Sequence, residues 1–157
     1  MKVDIVDVSD PQVIELVQLH TEGMIENSPP DKSFALDVSA LQAPEINLYG
    51  AWSEGALMGI GALKTLSPNQ GEIKSMRTDH NFLRRGVGAK ILERIILDAE
   101  KMGLKRLSLE TGVGEVYQPA LSLYRRYGFE SGDAFGDYAS AELDYSGDFN
   151  QFLHLDL

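Results

Sequence analysis

GEIKSMRTDHNFLRRGVGAKIL, residues Gly71–Leu92, is the stretch that decides the reading of this chain. It predicts a short strand ending at Thr78, a seven-residue loop carrying Arg84 and Arg85, and Gly86-Val87-Gly88 opening an amphipathic helix. Physically this is an anion site. The first N–H groups of a helix have no intrahelical partner, and the helix dipole adds about half a positive charge there. Glycines at 86 and 88 leave out the Cβ atoms that would hold a phosphate away from those groups. Arg84 and Arg85 supply guanidiniums suited to bidentate phosphate contact. A pyrophosphate fits this pattern.

Two kinds of pyrophosphate ligand compete. A dinucleotide fold shares the order strand, Gly-x-Gly, helix, strand, with Glu110 at the end of the second strand. Its fingerprint needs a third glycine three residues after Gly88, where this chain has Ile91, and a tighter strand-to-helix turn than Asp79–Arg84 allows. The alternative rests on a second motif downstream, Leu123-Tyr124-Arg125-Arg126-Tyr127-Gly128-Phe129. A basic Gly-x-Gly loop opening a long helix, then a strand, then a helix with Leu-Tyr before Gly-Phe resembles the GNAT N-acetyltransferases, which bind acetyl-coenzyme A.

The likeness extends along most of the chain. GEIKSMRT (71–78), RLSLETG (106–112) and residues 118–129 are similar to a small bacterial GNAT subgroup of the YsnE type. So are His20, Met24, Ser28-Pro29-Pro30, Ser33, Ala35-Leu36 and Tyr49-Gly50-Ala51-Trp52. Two positions depart from the common pattern: Leu83 stands where the loop usually begins with Gln or Arg, and Tyr117 replaces an asparagine. Neither alters the backbone N–H cradle.

The resemblance implies one α+β domain over residues 1–157, with a mixed, mostly antiparallel sheet whose central strands splay apart between flanking helices. It implies acetyl-CoA-dependent transfer to a primary amine of a small molecule or peptide by direct attack. The alternative is a non-catalytic acyl-CoA-binding sensor of the same fold. By position, backbone groups of Met76, Arg77 and Thr78 would pair with the pantetheine. Arg84, Arg85, Gly86, Val87, Gly88 and Ala89 would hold the pyrophosphate, with Tyr117 and Tyr124 completing the cofactor site. Met76 N–H matches the oxyanion donor and Tyr124 the acid for the leaving thiolate, a phenol with an unperturbed pKa of about 10. Glu72 matches the base, with Glu110 or water alone as rivals. Residues 72, 74, 76 and 78 would share one face of an uninterrupted strand, aiming Glu72 and the Met76 side chain the same way. His20, Met24, Ser28, Phe34, Trp52, Tyr117, Phe135 and Tyr138 would meet the acceptor, which the sequence does not name. A homodimer stays open.

Composition narrows the alternatives. A chain of 157 residues is one domain, and such a domain buries roughly 70% of its unfolded surface. The absence of cysteine excludes disulfides, thiolate nucleophiles and Cys-based zinc sites. His20, His80 and His154 lack metal-ligand spacing, so no metal is expected. The formal net charge of −10 argues against nucleic acid. Lys74, Arg77, Arg84, Arg85 and Lys90 form a basic island. Residues 130–157 hold seven acids and no Lys or Arg, which predicts solubility or a cationic acceptor nearby. The N-terminus alternates like a strand and not like a signal peptide, and Ala56–Leu63 is too short to span a bilayer. A soluble cytoplasmic protein that does not contact membranes is the expectation.

Periodicity predicts the element order βααβββαβαβ(β). Lys2–Val8 reads as the first strand, followed by a helix with Pro11 in its first turn and a second short helix over Phe34–Leu41. Asn47–Trp52 and Ala56–Thr65 form a hairpin leading into Glu72–Thr78. Val87, Ile91, Leu92, Ile95, Ile96, Ala99 and Met102 make one apolar helix stripe, stopped by Gly103. Lys105–Glu110 is a strand, Gln118–Tyr127 a helix, and Phe149–Leu157 the last strand.

Overall fold

A computed structural model describes residues 1–26, 38–139 and 150–157, with backbone alone for 24–26. Ten principal elements follow in chain order: β1 (Lys2–Ile5), α1 (Pro11–Glu26), β2 (Ile46–Ser53), β3 (Ala56–Thr65) and β4 (Gln70–Thr78). Next come α2 (Val87–Lys101), β5 (Arg106–Gly112), α3 (Gln118–Arg126), β6 (Glu130–Gly132) and β7 (Asn150–Asp156). The strands form one seven-stranded sheet in the order β1-β2-β3-β4-β5-β7-β6. β4 and β5 pair in parallel, and every other neighbouring pair is antiparallel. The expected α+β class holds.

Each face of the sheet has its own core. On one side the predicted stripe of α2 buries Val87, Ile91, Leu92, Ile95 and Ala99 against Tyr49, Leu63, Ile73, Leu107 and Leu109. Ile91 and Ile95 are fully buried, and each stabilises the fold by about 1.5–3 kcal/mol. On the other side Val13, Leu16 and Val17 of α1 meet Leu48, Ile60 and Ala62.

Several boundaries differ from the sequence reading. β1 stops at Ile5 instead of Val8, because the Asp7 carboxylate accepts from both the Ser9 N–H and hydroxyl at 2.8 Å and turns the chain. Asp10 then caps α1 by accepting from Gln12 N–H at 2.9 Å. Of the second predicted helix, residues 34–37 lie outside the described residues, and the rest is a single 3-10 turn at Ala40–Gln42. Met102 is 46% exposed and belongs to the helix cap, not to the apolar stripe. Gly103, at φ 82°, is the left-handed stop as expected. β5 runs on to Gly112, where its pairing with β7 continues.

Two irregularities in β4 position the site. Its ladder with β5 joins only Gln70–Ile73 to Arg106–Leu109. Beyond that point β4 pairs with β3 and β5 with β7, so the two parallel strands part, as the resemblance implied. The second irregularity is a bulge. Ala62 pairs with Lys74 but Ile60 pairs with Arg77, so Ser75 and Met76 share the space opposite Gly61. Ser75 takes φ 54°, a left-handed conformation uncommon for a residue with a Cβ.

The bulge corrects the predicted alternation. Met76 packs into the α2-side core, where a Cβ on Gly61 would strike its sulfur. Glu72 and Lys74 stay on the α1 side, joined there by Arg77, whose guanidinium abuts Gly23 of α1. Glu72 and the Met76 side chain therefore point to opposite faces. The extra residue inverts the period-two pattern after position 75.

Candidate active site

Between β4 and α2 the chain is held in a fixed path. Asp79 N–H ends the strand by donating to Met58 O at 2.8 Å, and the Asp79 carboxylate accepts from Asn81 N–H at 2.8 Å. Arg84 and Gly86 both adopt positive φ, at 62° and 77°. Gly86 caps α2, and a Cβ built on it would meet no protein atom within 4 Å. The space beside the helix N-terminus is open there. Gly88 is the second residue of α2, where a Cβ would lie 3.2 Å from the Leu123 side chain. Arg84 and Arg85 are exposed at the rim, and the Arg85 guanidinium stacks over Phe82 at 5.4 Å. These residues suit a polyanion: N–H donors face outward, cations flank them, and nothing of the protein fills the cradle.

Tyr124 comes from α3, whose Leu123 touches the start of α2. Its side chain is only 5% exposed and rests on Phe129, with ring centroids 5.7 Å apart. Burial alone pushes the phenol well above its ordinary range. The hydroxyl is therefore protonated near neutral pH and is not available as a base. Tyr117 caps α3 and lays its ring on Gly112 at the end of β5, where any Cβ would collide with it.

On the α1 side of the opening lies a buried polar cluster. Glu72 is 4% exposed and accepts from the Tyr138 hydroxyl at 2.7 Å and from Lys74 Nζ at 3.2 Å. Lys74 also donates to Tyr138 Oη at 2.7 Å. Across the gap, Glu110 accepts from Asn150 Nδ2 at 2.7 Å. Burial raises the proton affinity of Glu110, Asn150 and Lys74 oppose the shift, and the charge of Glu72 adds to it. Tyr138 is held edge-on by Phe135, centroids 5.2 Å apart, in a small cluster with Phe152.

The structure thus gathers Glu72, Glu110 and Tyr138 at one place, with Phe135 as packing support. His20 lies close by on α1. Trp52 does not join them: it packs with Val6 in the core under α1, two strands from β4. Ser28, Phe34 and the Met24 side chain fall outside the described residues. Lys74, Asn150 and the link from Tyr138 to Glu72 were not foreseen. Lys74 was legible, since it follows Glu72 by two on a strand. Asn150 and Tyr138 are 40 and 66 residues from their partners, and no local pattern marks such contacts.

Residues 13–129, which carry the cradle, the bulged strand and Tyr124, match the acetyltransferase (GNAT) family. The chain belongs to that family. Among relatives of this GNAT protein, it is 45% identical over 138 residues to the uncharacterized N-acetyltransferase YsnE of Bacillus subtilis (strain 168), covering 88% of this chain and 91% of YsnE. Over 132 residues it is 45% identical to the uncharacterized N-acetyltransferase YedL of Escherichia coli (strain K12), covering 84% and 83%. Its fold matches that of a GNAT acetyltransferase from Elizabethkingia anophelis with acetyl-CoA bound. There the TM-score is 0.70 at 21% identity, over 99% of this chain and 97% of the other. Among the described residues no group of three or more His, Cys, Asp or Glu is placed to hold a metal, and no helix is long and apolar enough to cross a membrane.

Proposed function

We propose that this GNAT protein transfers an acetyl group from acetyl-CoA to a primary amine of a small molecule or peptide by direct attack. The observation that carries this reading is the parting of β4 from β5 directly beside the open Gly86 cradle. A strand edge without a neighbour invites an extended ligand to pair with it, and the cradle accepts a diphosphate at that ligand's far end. Met76, Arg77 and Thr78 supply the edge; Arg84, Arg85 and the N–H groups of Val87, Gly88 and Ala89 supply the anion site.

The co-substrate brings an activated thioester, and the protein's own groups manage charge and protons around it. Glu72, oriented by Lys74 and Tyr138, takes a proton from the incoming ammonium, so that a nitrogen lone pair can attack the carbonyl carbon. Glu110, with its raised proton affinity, stands across the gap as a second acceptor of protons. Met76 N–H, on the bulge and outside the β3 register, faces the oxygen on which negative charge develops, a contribution of about 3–4 kcal/mol in comparable sites. As the C–S bond breaks, Tyr124 donates its proton to the sulfur. The attacking nitrogen sheds its second proton, which restores the Tyr124 phenol, so the reaction closes with an N-acetyl amine, a free thiol and one proton held on Glu72.

The test is thiol release from acetyl-CoA against a panel of primary amines, with mass detection of the product. Amine-dependent thiol release with a product heavier than the amine by one acetyl group supports transfer. Tight CoA binding without release from any amine would replace it with the acyl-CoA sensor reading.

A further inference from the structure

Among the described residues, two buried side-chain polar atoms lack a hydrogen-bond partner: Nδ1 of His20 and Oγ of Ser75. Of the two, His20 lies where α1 crosses β4. His20 is 8% exposed, and Gly23, one turn further along α1, lies against the Arg77 guanidinium, with its Cβ position 3.1 Å from that group. Ser75 sits on the bulge between Lys74 and Arg77. Leaving such an atom dry and unpaired costs a folded protein about 1–3 kcal/mol, so the position asks for a ligand group. The surrounding charge says which. Arg77 is exposed, and its charge with that of Lys74 adds to burial in holding the His20 ring neutral, with a pKa near 4. A neutral imidazole protonated at Nδ1 can donate to an anion beside a guanidinium, and an amine would be repelled there.

The opposite end of the same face carries two carboxylates, Glu72 paired with Lys74 and Glu110 bonded to Asn150. Glu72 and Glu110 lie on the far side of the bulge from Arg77, four β3 residues away by register (Lys64 against Glu72, Ile60 against Arg77). One face thus offers a carboxylate end and a guanidinium end on either side of the attack point.

We propose that the acceptor is an amine that also bears a carboxylate, of the amino-acid class, with its anionic end held by Arg77 and His20 and its amine directed to Glu72. This rests on the acetyl-transfer reading and sharpens it. The dipolar site selects a zwitterion and rejects polyamines, whose second ammonium would meet Arg77.

The experiment has two arms. In the first, free amino acids, their amides and their decarboxylated amines are compared as acceptors. The free acids should exceed the matched amides by about 10- to 100-fold in kcat/KM, the ratio expected of one charge-assisted hydrogen bond. In Arg77→Gln that ratio should collapse toward one, while Arg77→Lys should keep part of it. In the second arm, the imidazole resonances of the three histidines are followed by NMR as the same compounds are added to the CoA-saturated protein. Free acids should move the His20 signals, identified by their loss in His20→Gln, and leave His80 in place. Amides preferred over acids, or His20 signals that do not respond to any acid, would overturn the proposal. So would a preference for succinyl-CoA over acetyl-CoA, which would give Arg77 to the acyl chain instead of the acceptor. A protein that fails to bind acetyl-CoA in a thermal-shift control refutes the transfer reading itself, which separates the two failures.

Discussion

Replacing Gly86 by alanine isolates the cradle, because the structure separates its two effects. At φ 77° an added Cβ is strained by about 1–2 kcal/mol. No protein atom lies within 4 Å of that Cβ, so no packing clash adds to the strain. For a domain of this size the loss corresponds to a melting temperature lower by roughly 2–8 °C, leaving the protein folded. The same methyl group occupies the open space at the N-terminus of α2, where a diphosphate would sit. Losing two or more charge-assisted contacts of about 1.5–3 kcal/mol each should weaken CoA binding by at least 100-fold. Calorimetric titration of both proteins with CoA, beside their melting curves without ligand, reads the two effects independently. A Gly86→Ala protein that melts a few degrees lower but binds CoA as tightly as the parent would place the phosphates elsewhere and refute the reasoning.

Three further outcomes follow from the site. Tyr124→Phe keeps the ring against Phe129 and removes only the proton, so turnover should fall on the order of 10²–10⁴-fold with CoA affinity nearly intact; an unchanged rate with a lowered melting point would make Tyr124 structural. His20, with its folded pKa near 4 against about 6.5 unfolded, binds fewer protons folded than unfolded between those values. Its stabilising contribution is therefore complete above pH 6.5 and lost as pH falls toward 4, by roughly 2 kcal/mol at pH 5; urea denaturation at pH 7 and pH 5 should show that extra loss in the parent and not in His20→Gln. Glu72→Gln should depress kcat/KM more than Glu110→Gln and remove the acid limb of its pH profile, and the reverse order would assign the base to Glu110.

How far the sequence revealed this site depends on the range of each contact. The cradle was legible because helix starts are local: two glycines, two arginines and a stripe with helical period suffice. The resemblance of Leu-Tyr before Gly-Phe to the family motif singled out Tyr124, which the fold buries on α3 against Phe129. The bulge was not legible. Serine at a positive φ leaves no compositional mark, and GEIKSMRT reads as an uninterrupted strand, which put Met76 on the wrong face. The nearest clue was on the partner strand, where Gly59 and Gly61 leave room for Val87, Ile91 and the Met76 sulfur. The Glu72–Lys74–Tyr138 cluster depends on a contact 66 residues apart, and β6 is too short for any pattern. Phe135 and Tyr138 were expected at the acceptor by residue type, and the fold adds the Tyr138 bond to Glu72 and the packing of Phe135 on Tyr138, which that type did not signal.

The account stands on one claim, that the opening between β4 and β5 and the cradle beyond it form an acetyl-CoA site. Its most direct measurement is the melting temperature with acetyl-CoA against that with NAD, each at saturating concentration. At about 100 times its dissociation constant a ligand adds roughly 2.7 kcal/mol of stability, or roughly 5–10 °C for a domain of this size. Acetyl-CoA should raise the melting temperature by that amount and NAD should leave it where it was. Equal shifts from both, or none from acetyl-CoA, would contradict the claim.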